Sequence, residues 1–529
     1  MTAETAETAE TAETAETAGA DGADGADGAD GADGTDGTDG TDGTAGADGA
    51  DGADGTDGTD GADGGVGAVG LGLEWGGFLC RLWLWWRLWF AGAFEAALRE
   101  NFSMADTHRT LNITISGTGF AGDFVARSFG MLPHRNGVEL RLAGVNSGHL
   151  GNAQRFAERH GVGQAFASHR EMLEAVRPDI DCIACANYAH AQYVVEAAEA
   201  GVSVIVLEKP PLIWPGYAEG RTAPAGIRKA ESMVALEAVL RQVAERGVRL
   251  LYAENFVYVD GMKALVEIMR EAQPHGKGRI LMQHGICAHQ GSHAPDYDNP
   301  AKSGGGALFN KACHPLGPAL YLKQVEGLLR EGRPIRPVKV SAVTLQVLKG
   351  LPDAAGEHFR VMQRVDDFAR MSVVFEDGTV AELYGYDLSI SGIRNTFSAI
   401  ADFGQYDMRI NPNDENELFL PDAAPAGNLL FREKLPTPLG TCFPRPGQFH
   451  THGYVNEMDD AVACALDARR YPQSGALMAW DTMAVLMAGY ESAERNSAFV
   501  DISGYTGVNP GGDGALPDPR CFGAVLQRA

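Results

Sequence analysis

From residue 109 onward the chain alternates short apolar runs with stretches of helical spacing. Leu111–Ser116, Glu139–Val145, Ile180–Ala184 and Ser203–Leu207 read as strands, short runs rich in apolar residues. Between them, Gly122–Leu132, Ala153–His160 and Ala189–Ala200 carry apolar residues at helical spacing. Strands alternating with helices at this interval predict a doubly wound parallel sheet. After about residue 254 the rhythm changes to longer alternating runs, Val338–Val347, Ala369–Phe375 and Val380–Tyr386, with a turn at Glu376-Asp377-Gly378. That pattern predicts a second α/β domain with an open, mostly antiparallel sheet and few helices. Residues 455–495 return to helical spacing, and 509–529, rich in Gly and Pro, read as a loose tail. The domain expectation is therefore 104–254 followed by 255–508.

The first 103 residues follow neither pattern. Residues 1–64 are Thr-Ala-Glu, Ala-Asp-Gly and Thr-Asp-Gly triplets with 19 acidic side chains and no Lys or Arg. With no side chain larger than Glu after Met1, they cannot bury enough apolar surface to offset backbone ordering, and they read as disordered. Removing their charge from the total of −27 leaves −8 on the remainder, which speaks for solubility and offers no basic footprint for nucleic acid. Residues 65–103 include the apolar, aromatic run Leu82–Phe90, which Glu74, Arg81 and Arg87 keep below the ~20 residues of a spanning helix. It reads either as an interfacial amphipathic segment or, with Met104-Ala105-Asp106 as a natural start, as part of an upstream extension. The eight cysteines are scattered, and the lone Cys182-x-x-Cys185 lies in an apolar strand, so buried thiols in a reducing cytoplasm are expected rather than a zinc site.

The first βα junction carries chemistry. Gly117-Thr118-Gly119-Phe120-Ala121-Gly122 follows a strand and opens a helix, the context in which glycines admit a pyrophosphate at a helix N-terminus. A second strand of this type usually ends in a carboxylate that grips the ribose hydroxyls of NAD. Here it ends Asn146-Ser147-Gly148-His149, where Ser147 can donate to a 2′-phosphate and His149 stands beside it. NADP is therefore expected in preference to NAD.

At the end of the buried strand Val204–Leu207 stands Glu208-Lys209-Pro210, which aims a lysine into the crevice at the carboxyl edge of the sheet. Partial desolvation there is expected to lower its pKa toward neutrality. Three further segments accompany it in order: Asn187-Tyr188-Ala189-His190, then Glu254-Asn255-Phe256-Val257-Tyr258, then Gly304-Gly305-Gly306 through Asn310 to His314. Together these motifs resemble the Gfo/Idh/MocA family, named for glucose–fructose oxidoreductase and inositol dehydrogenase, over about residues 109–505. The resemblance implies a Rossmann domain, a C-terminal α/β domain that serves as substrate wall and oligomer interface, and hydride transfer between a nicotinamide and a secondary alcohol or carbonyl carbon of a sugar or polyol. It implies Lys209 and His314 as acid/base groups, with Asn310 holding a neighbouring hydroxyl. Asn187, His190, Glu208 and Pro210 are implied at the cofactor, and Asn255, Tyr258 and His293 at the substrate. A dimer or tetramer through the C-terminal sheet is implied as well.

The departures from that pattern are specific. Asn310 replaces an aspartate and cannot take a proton. Ala312 replaces a glycine, Gly317 stands at a later aspartate position, and Ala186 replaces a proline. Trp214–Ile227 reads as an insertion forming a flap at the cleft. His284, His289, His293 and His314 invite a metal reading, but loop and strand spacing favours a polar substrate wall and no metal. Two competitors keep the fold: a non-catalytic NADP- or sugar-binding regulator, and glycoside cleavage through a tightly held, recycled NAD.

Overall fold

The computed structural model describes residues 109–508 apart from 293, 295, 352–358, 391, 412–417, 421–439 and 443–451. The readings made on 1–64, 65–103, His293 and 509–529 lie outside the described residues.

The expected doubly wound sheet is present. Strands β1 (Arg109–Ser116), β2 (Val138–Asn146), β3 (Ala165–Phe166), β4 (Ile180–Ile183), β5 (Val204–Glu208) and β6 (Arg249–Ala253) pair in parallel in the order β3-β2-β1-β4-β5-β6. Chain order reverses beside β1, so the loops at the carboxyl ends of β1, β4 and β5 border one crevice. Leu111, Ile113, Ile115, Ile180, Cys182, Val204 and Ile205 are fully buried, as a sheet covered on both faces requires.

Helices α1 (Phe120–Gly130), α2 (Leu150–His160), α3 (His169–Val176), α4 (His190–Glu199) and α5 (Ala225–Glu245) flank it. Helix α3 starts where the Ser168 side chain accepts from the Glu171 amide, and α2 ends at Gly161 in the left-handed region. The sequence reading passed over α5, although Met233, Leu236, Leu240 and Val243 lie at helical spacing and are buried.

The second sheet is seven-stranded. Its order is β12 (Gly404–Asn411), β11 (Arg394–Ala401), β7 (Ile280–Ala288), β10 (Val380–Tyr386), β9 (Phe368–Phe375), β8 (Pro337–Leu345) and the short strand Val500–Asp501. Only β7 and β10 run parallel, and the other neighbours are antiparallel. Residues of β9 alternate between buried and half-buried, the signature of one covered face.

Helices α6 (Asp260–Ala272), α7 (Cys313–Glu331), α8 (Tyr454–Leu466) and α9 (Ala476–Glu494) all lie after residue 254. The expectation of few helices there is corrected by α6 and α7, whereas α8 and α9 fall where residues 455–495 read as helical. Helix α9 is apolar on nearly every side because it is enclosed on nearly every side. Helix α7 approaches β7 so closely that a Cβ on Gly285 would lie 2.5 Å from Pro315.

The last helices return to the first sheet. The Phe124 and Tyr454 rings stand 4.8 Å apart, and Arg249 donates to the Cys464 carbonyl at 2.7 Å. Lys229 pairs with Glu491, and the buried Arg336–Asp481 pair ties α9 to the strand entry at β8. Among the described residues no helix is long and apolar enough to cross a membrane.

Candidate active site

The glycine loop between β1 and α1 has the geometry a pyrophosphate needs. Gly117 adopts φ +108°, and a Cβ there would sit 2.4 Å from the Ala184 carbonyl oxygen, inside β4's own exit loop. A Cβ on Gly122 would meet the Gly117 carbonyl at 2.2 Å, whereas one on Gly119 would meet nothing within 4 Å. The first and third glycines thus pull loop, strand and helix together, and the second leaves the space open. Helix α1 starts at Gly119 with no side chain capping it, so the end of its dipole is left for a ligand. Thr118 is half-buried, Phe120 is half-exposed at the mouth, and Ala121 packs against the core. At the end of β2, Asn146 is buried, Ser147 is half-buried and accepts weakly from the His149 amide, and His149 is exposed.

Lys209 stands at the carboxyl end of β5 with its backbone amide held by Glu208 Oε2 at 2.9 Å. Burial raises the Glu208 carboxyl pKa. The Lys209 ammonium donates to the Asn310 carbonyl at 3.3 Å. Burial alone would pull its pKa down, but Cys313, Glu208, Glu254 and Cys287 hold it above the usual lysine value. The expectation of a lowered lysine pKa is therefore reversed, because carboxylates share its pocket.

Across from it, His314 in the first turn of α7 is buried, stacks on Phe256 with ring centroids 4.9 Å apart, and faces Glu254 Oε1 through Nδ1 at 2.9 Å. Glu254 is fully buried, and desolvation pushes its carboxyl well above the ordinary range. Its motif was visible in the sequence, but only its neighbours were assigned roles.

Among the described residues, Glu254, Cys313 and His314 form the one group whose ligand atoms all lie within 4.8 Å of one another. The adjacent Lys209 ammonium and the burial-raised Cys313 thiol both oppose a cation there. Of the other described histidines of the sequence cluster, His289 contacts Cys287 Sγ and His284 packs by Tyr384, and neither belongs to that group.

Four expected contacts take other forms. The Asn310 side chain, expected to hold a substrate hydroxyl, donates instead to the Gly305 carbonyl at 2.7 Å and accepts from Asn187 Nδ2 at 3.2 Å. Asn187 in turn donates to the Ser303 carbonyl at 2.7 Å, so the two amides clamp the glycine-rich segment. An aspartate at 310 could accept but could not donate to those carbonyls.

His190, expected at the cofactor, is fully buried between the Pro210 and Cys185 carbonyls at 2.8 and 3.2 Å, and burial pushes its pKa down to about 4. It braces the Pro210 loop from behind. Asn255 donates to the His452 carbonyl at 2.7 Å. The Tyr258 hydroxyl donates to Asp460 at 3.1 Å and accepts from the Ser474 amide at 3.2 Å. Both residues, expected at the substrate, are buried ties to the C-terminal helices.

Gly304, Gly305 and Gly306 exist for close approach. Cβ atoms there would meet Phe309, the Tyr490 hydroxyl and the Asp366 carbonyl at 2.4, 2.2 and 2.0 Å. The Asp366 carboxylate also accepts from the Leu308 amide at 2.6 Å and from Tyr490 at 2.9 Å. Asp366 was read from sequence as a strand start, and its clamp across 58 residues carried no local signal. The segment after Pro211 contributes Leu212 and the buried Trp214 to the wall of a cavity of about 490 Å³, shared with Asn187, Tyr188, Asn299 and Lys302.

Fold and loop together define a dinucleotide-binding α/β protein. Residues 111–237 match the family model for an oxidoreductase family with an NAD-binding Rossmann fold, so this domain is similar to those of the Gfo/Idh/MocA family. D-glucoside 3-dehydrogenase of Escherichia coli (strain K12) is 34% identical over 114 residues, 22% of this chain and 31% of that protein. The match thus spans less than a third of the curated relative.

Among solved structures, GenD2 from gentamicin A biosynthesis in complex with NAD superposes with a TM-score of 0.56 at 18% identity, covering 75% of this chain and 97% of its own. Scyllo-inositol dehydrogenase from Lactobacillus casei, with bound NAD(H) and scyllo-inositol, gives 0.54 at 16%, covering 75% and 100%. These likenesses carry the two-domain fold. The collagen triple-helix repeat model matches residues 16–72, outside the described residues, where glycine recurs at every third position through most of the run but no proline occurs.

Proposed function

We propose that the protein is an NAD(P)-dependent oxidoreductase that moves a hydride between the nicotinamide and a CH–OH carbon of a sugar, glycoside or polyol. The observation that carries this reading is the meeting of Lys209, at the edge of the dinucleotide sheet, with the buried pair formed by Glu254, at the end of β6, and His314 on α7.

The open space over Gly119 and the uncapped start of α1 fit a pyrophosphate. When bound, a nicotinamide cofactor supplies or accepts the hydride. Lys209, charged and donor-rich, holds the reacting hydroxyl or carbonyl oxygen and exchanges its proton. His314 stands as the second acid/base group. The Asn187–Asn310 clamp keeps Lys209 and the glycine-rich segment in register, because the Asn310 carbonyl receives the lysine.

At the adenosine end, the β2 terminus Asn146-Ser147-Gly148-His149 presents no carboxylate, and we infer that it accepts NADP in preference to NAD. Exposed Met282 and Ile400 on the open face of the second sheet support a contact with a second copy there, as a dimer or tetramer. The free Cys182, Cys185, Cys287, Cys313 and Cys464 suit a reducing cytoplasm.

The test is fluorescence titration with NADPH and NADH, followed by assays on glucosides and inositols. Micromolar binding with turnover supports the reading, and tight binding without turnover of any sugar would favour the regulator. Lys209→Met should lower turnover by about a hundredfold or more while cofactor affinity stays within a few-fold.

A further inference from the structure

Gly317 lies three residues after His314 on α7, so the two share one face of the helix. A Cβ on Gly317 would sit 2.2 Å from Cγ and 3.1 Å from Cδ of Glu254. No side chain at 317 can coexist with Glu254 in its present place. The void left by that missing side chain is where the Glu254 carboxyl lies, with Oε1 2.9 Å from His314 Nδ1.

Glu254 arrives from a different direction, immediately after β6, in a turn where it also accepts weakly from the Phe256 amide. Its second oxygen, Oε2, is buried and has no hydrogen-bond partner among the described residues. Burying a carboxyl with one oxygen unsatisfied is costly, and a merely structural role would be filled more cheaply by an apolar side chain.

We propose that Glu254 is the positioning residue of His314, and that Gly317 is the opening in α7 through which it reaches the imidazole. The position where the motif resemblance led us to expect an aspartate is thus empty, and the carboxylate is delivered from the neighbouring strand end instead. Burial opposes ionisation of Glu254 and the Lys209 charge favours it; as a carboxylate it accepts at Nδ1, so the imidazole carries its hydrogen there and Nε2 becomes the basic nitrogen. The stacked Phe256 ring fixes the imidazole plane, and because Phe256 and Glu254 belong to one turn, both constraints come from a single segment. Glu254 therefore acts through His314 and need not touch substrate.

The functional part of this inference rests on the proposed oxidoreductase reading, but the tautomer does not, so two measurements separate them. The first is ¹⁵N NMR of histidine-labelled full-length protein. His314 should show the Nδ1–H tautomer in the wild type and lose it in Glu254→Ala. Gly317→Ala, which displaces Glu254 without removing it, should give the same change and serves if Glu254→Ala does not fold.

The second is steady-state oxidation of methyl β-D-glucopyranoside with NAD(P). Glu254→Ala should lower kcat by about ten- to a hundredfold with KM within about threefold. Glu254→Ala/Gly317→Asp, which places a carboxylate one helical turn from His314, should recover most of the loss and the tautomer. An unchanged His314 signal in both single variants overturns the proposal. So does a folded double variant without recovery, or stoichiometric zinc in the purified protein that Glu254→Ala abolishes. Absence of wild-type turnover on any sugar with the tautomer change intact would refute the oxidoreductase reading and leave the positioning role standing.

Discussion

Two buried histidines in this protein, His169 and His314, meet buried carboxylates, and their surroundings give them different work. His169, at the start of α3, is bonded on both ring nitrogens, to Glu196 at 2.8 Å and to Asp181 at 2.9 Å. Thr114 donates to the other Asp181 oxygen at 2.7 Å, Gln192 donates to the other Glu196 oxygen at 2.9 Å, and Tyr193 stacks on the ring. Every polar atom of that network has a partner. At His314 the shortfall lies in the carboxylate: Glu254 meets Nδ1 through Oε1, while its buried Oε2 has no hydrogen-bond partner among the described residues, with the Lys209 ammonium nearby. The saturated network joins α3, β4 and α4 inside the first domain. The unsaturated one lies where three strand ends and α7 meet. Satisfaction marks structure, and a buried shortfall beside a cleft marks chemistry.

This contrast can be broken at several points. Lys209→Met should have the largest effect, on turnover alone. His169→Ala should invert that outcome. It strands Asp181 and Glu196 without their cation, so unfolding free energy from urea melts should fall by about 3–5 kcal/mol while kcat per folded molecule is unchanged. A large kcat loss at unchanged stability would erase the distinction between the two histidines.

The pH dependence sharpens the same point. Burial would lower the His169 pKa, but Asp181 and Glu196 raise it. Its contribution is therefore complete below the unfolded histidine value of about 6.5 and is lost as pH rises through the folded value. Burial would raise the Glu196 pKa, but Gln192 and His169 lower it, so that contribution is present above the ordinary carboxyl value and lost as pH falls. Thermal melts of the wild type should accordingly lose stability from pH 6.5 to 9, and His169→Asn should flatten that slope. The smallest effect is expected at the adenosine end. Ser147→Asp should weaken NADPH about tenfold and NADH by less than twofold, read by fluorescence titration.

Much of the site was legible because it is local. The turn at Gly117, the open position at Gly119 and the packing at Gly122 are set within one strand–loop–helix unit, and that unit formed as its spacing predicted. Glu208-Lys209-Pro210 was legible for the same reason, since a residue at the carboxyl end of a buried parallel strand faces the crevice.

What escaped is non-local. Asn310, Asn255, Tyr258 and His190 were implied as ligand contacts by the motif resemblance, yet each spends its polar atoms on a backbone or side chain brought in by folding. A buried amide or hydroxyl must be paired, and the nearest partner is chosen by packing.

The sequence by itself determined the doubly wound domain, the dinucleotide loop and the lysine at its edge, because backbone propensity and strand burial act over a few residues. Only the tertiary structure decided which carboxylate serves His314. That pairing spans 60 residues and depends on a missing side chain at Gly317. It exists because α7 and the end of β6 are pressed together until a single Cβ would collide.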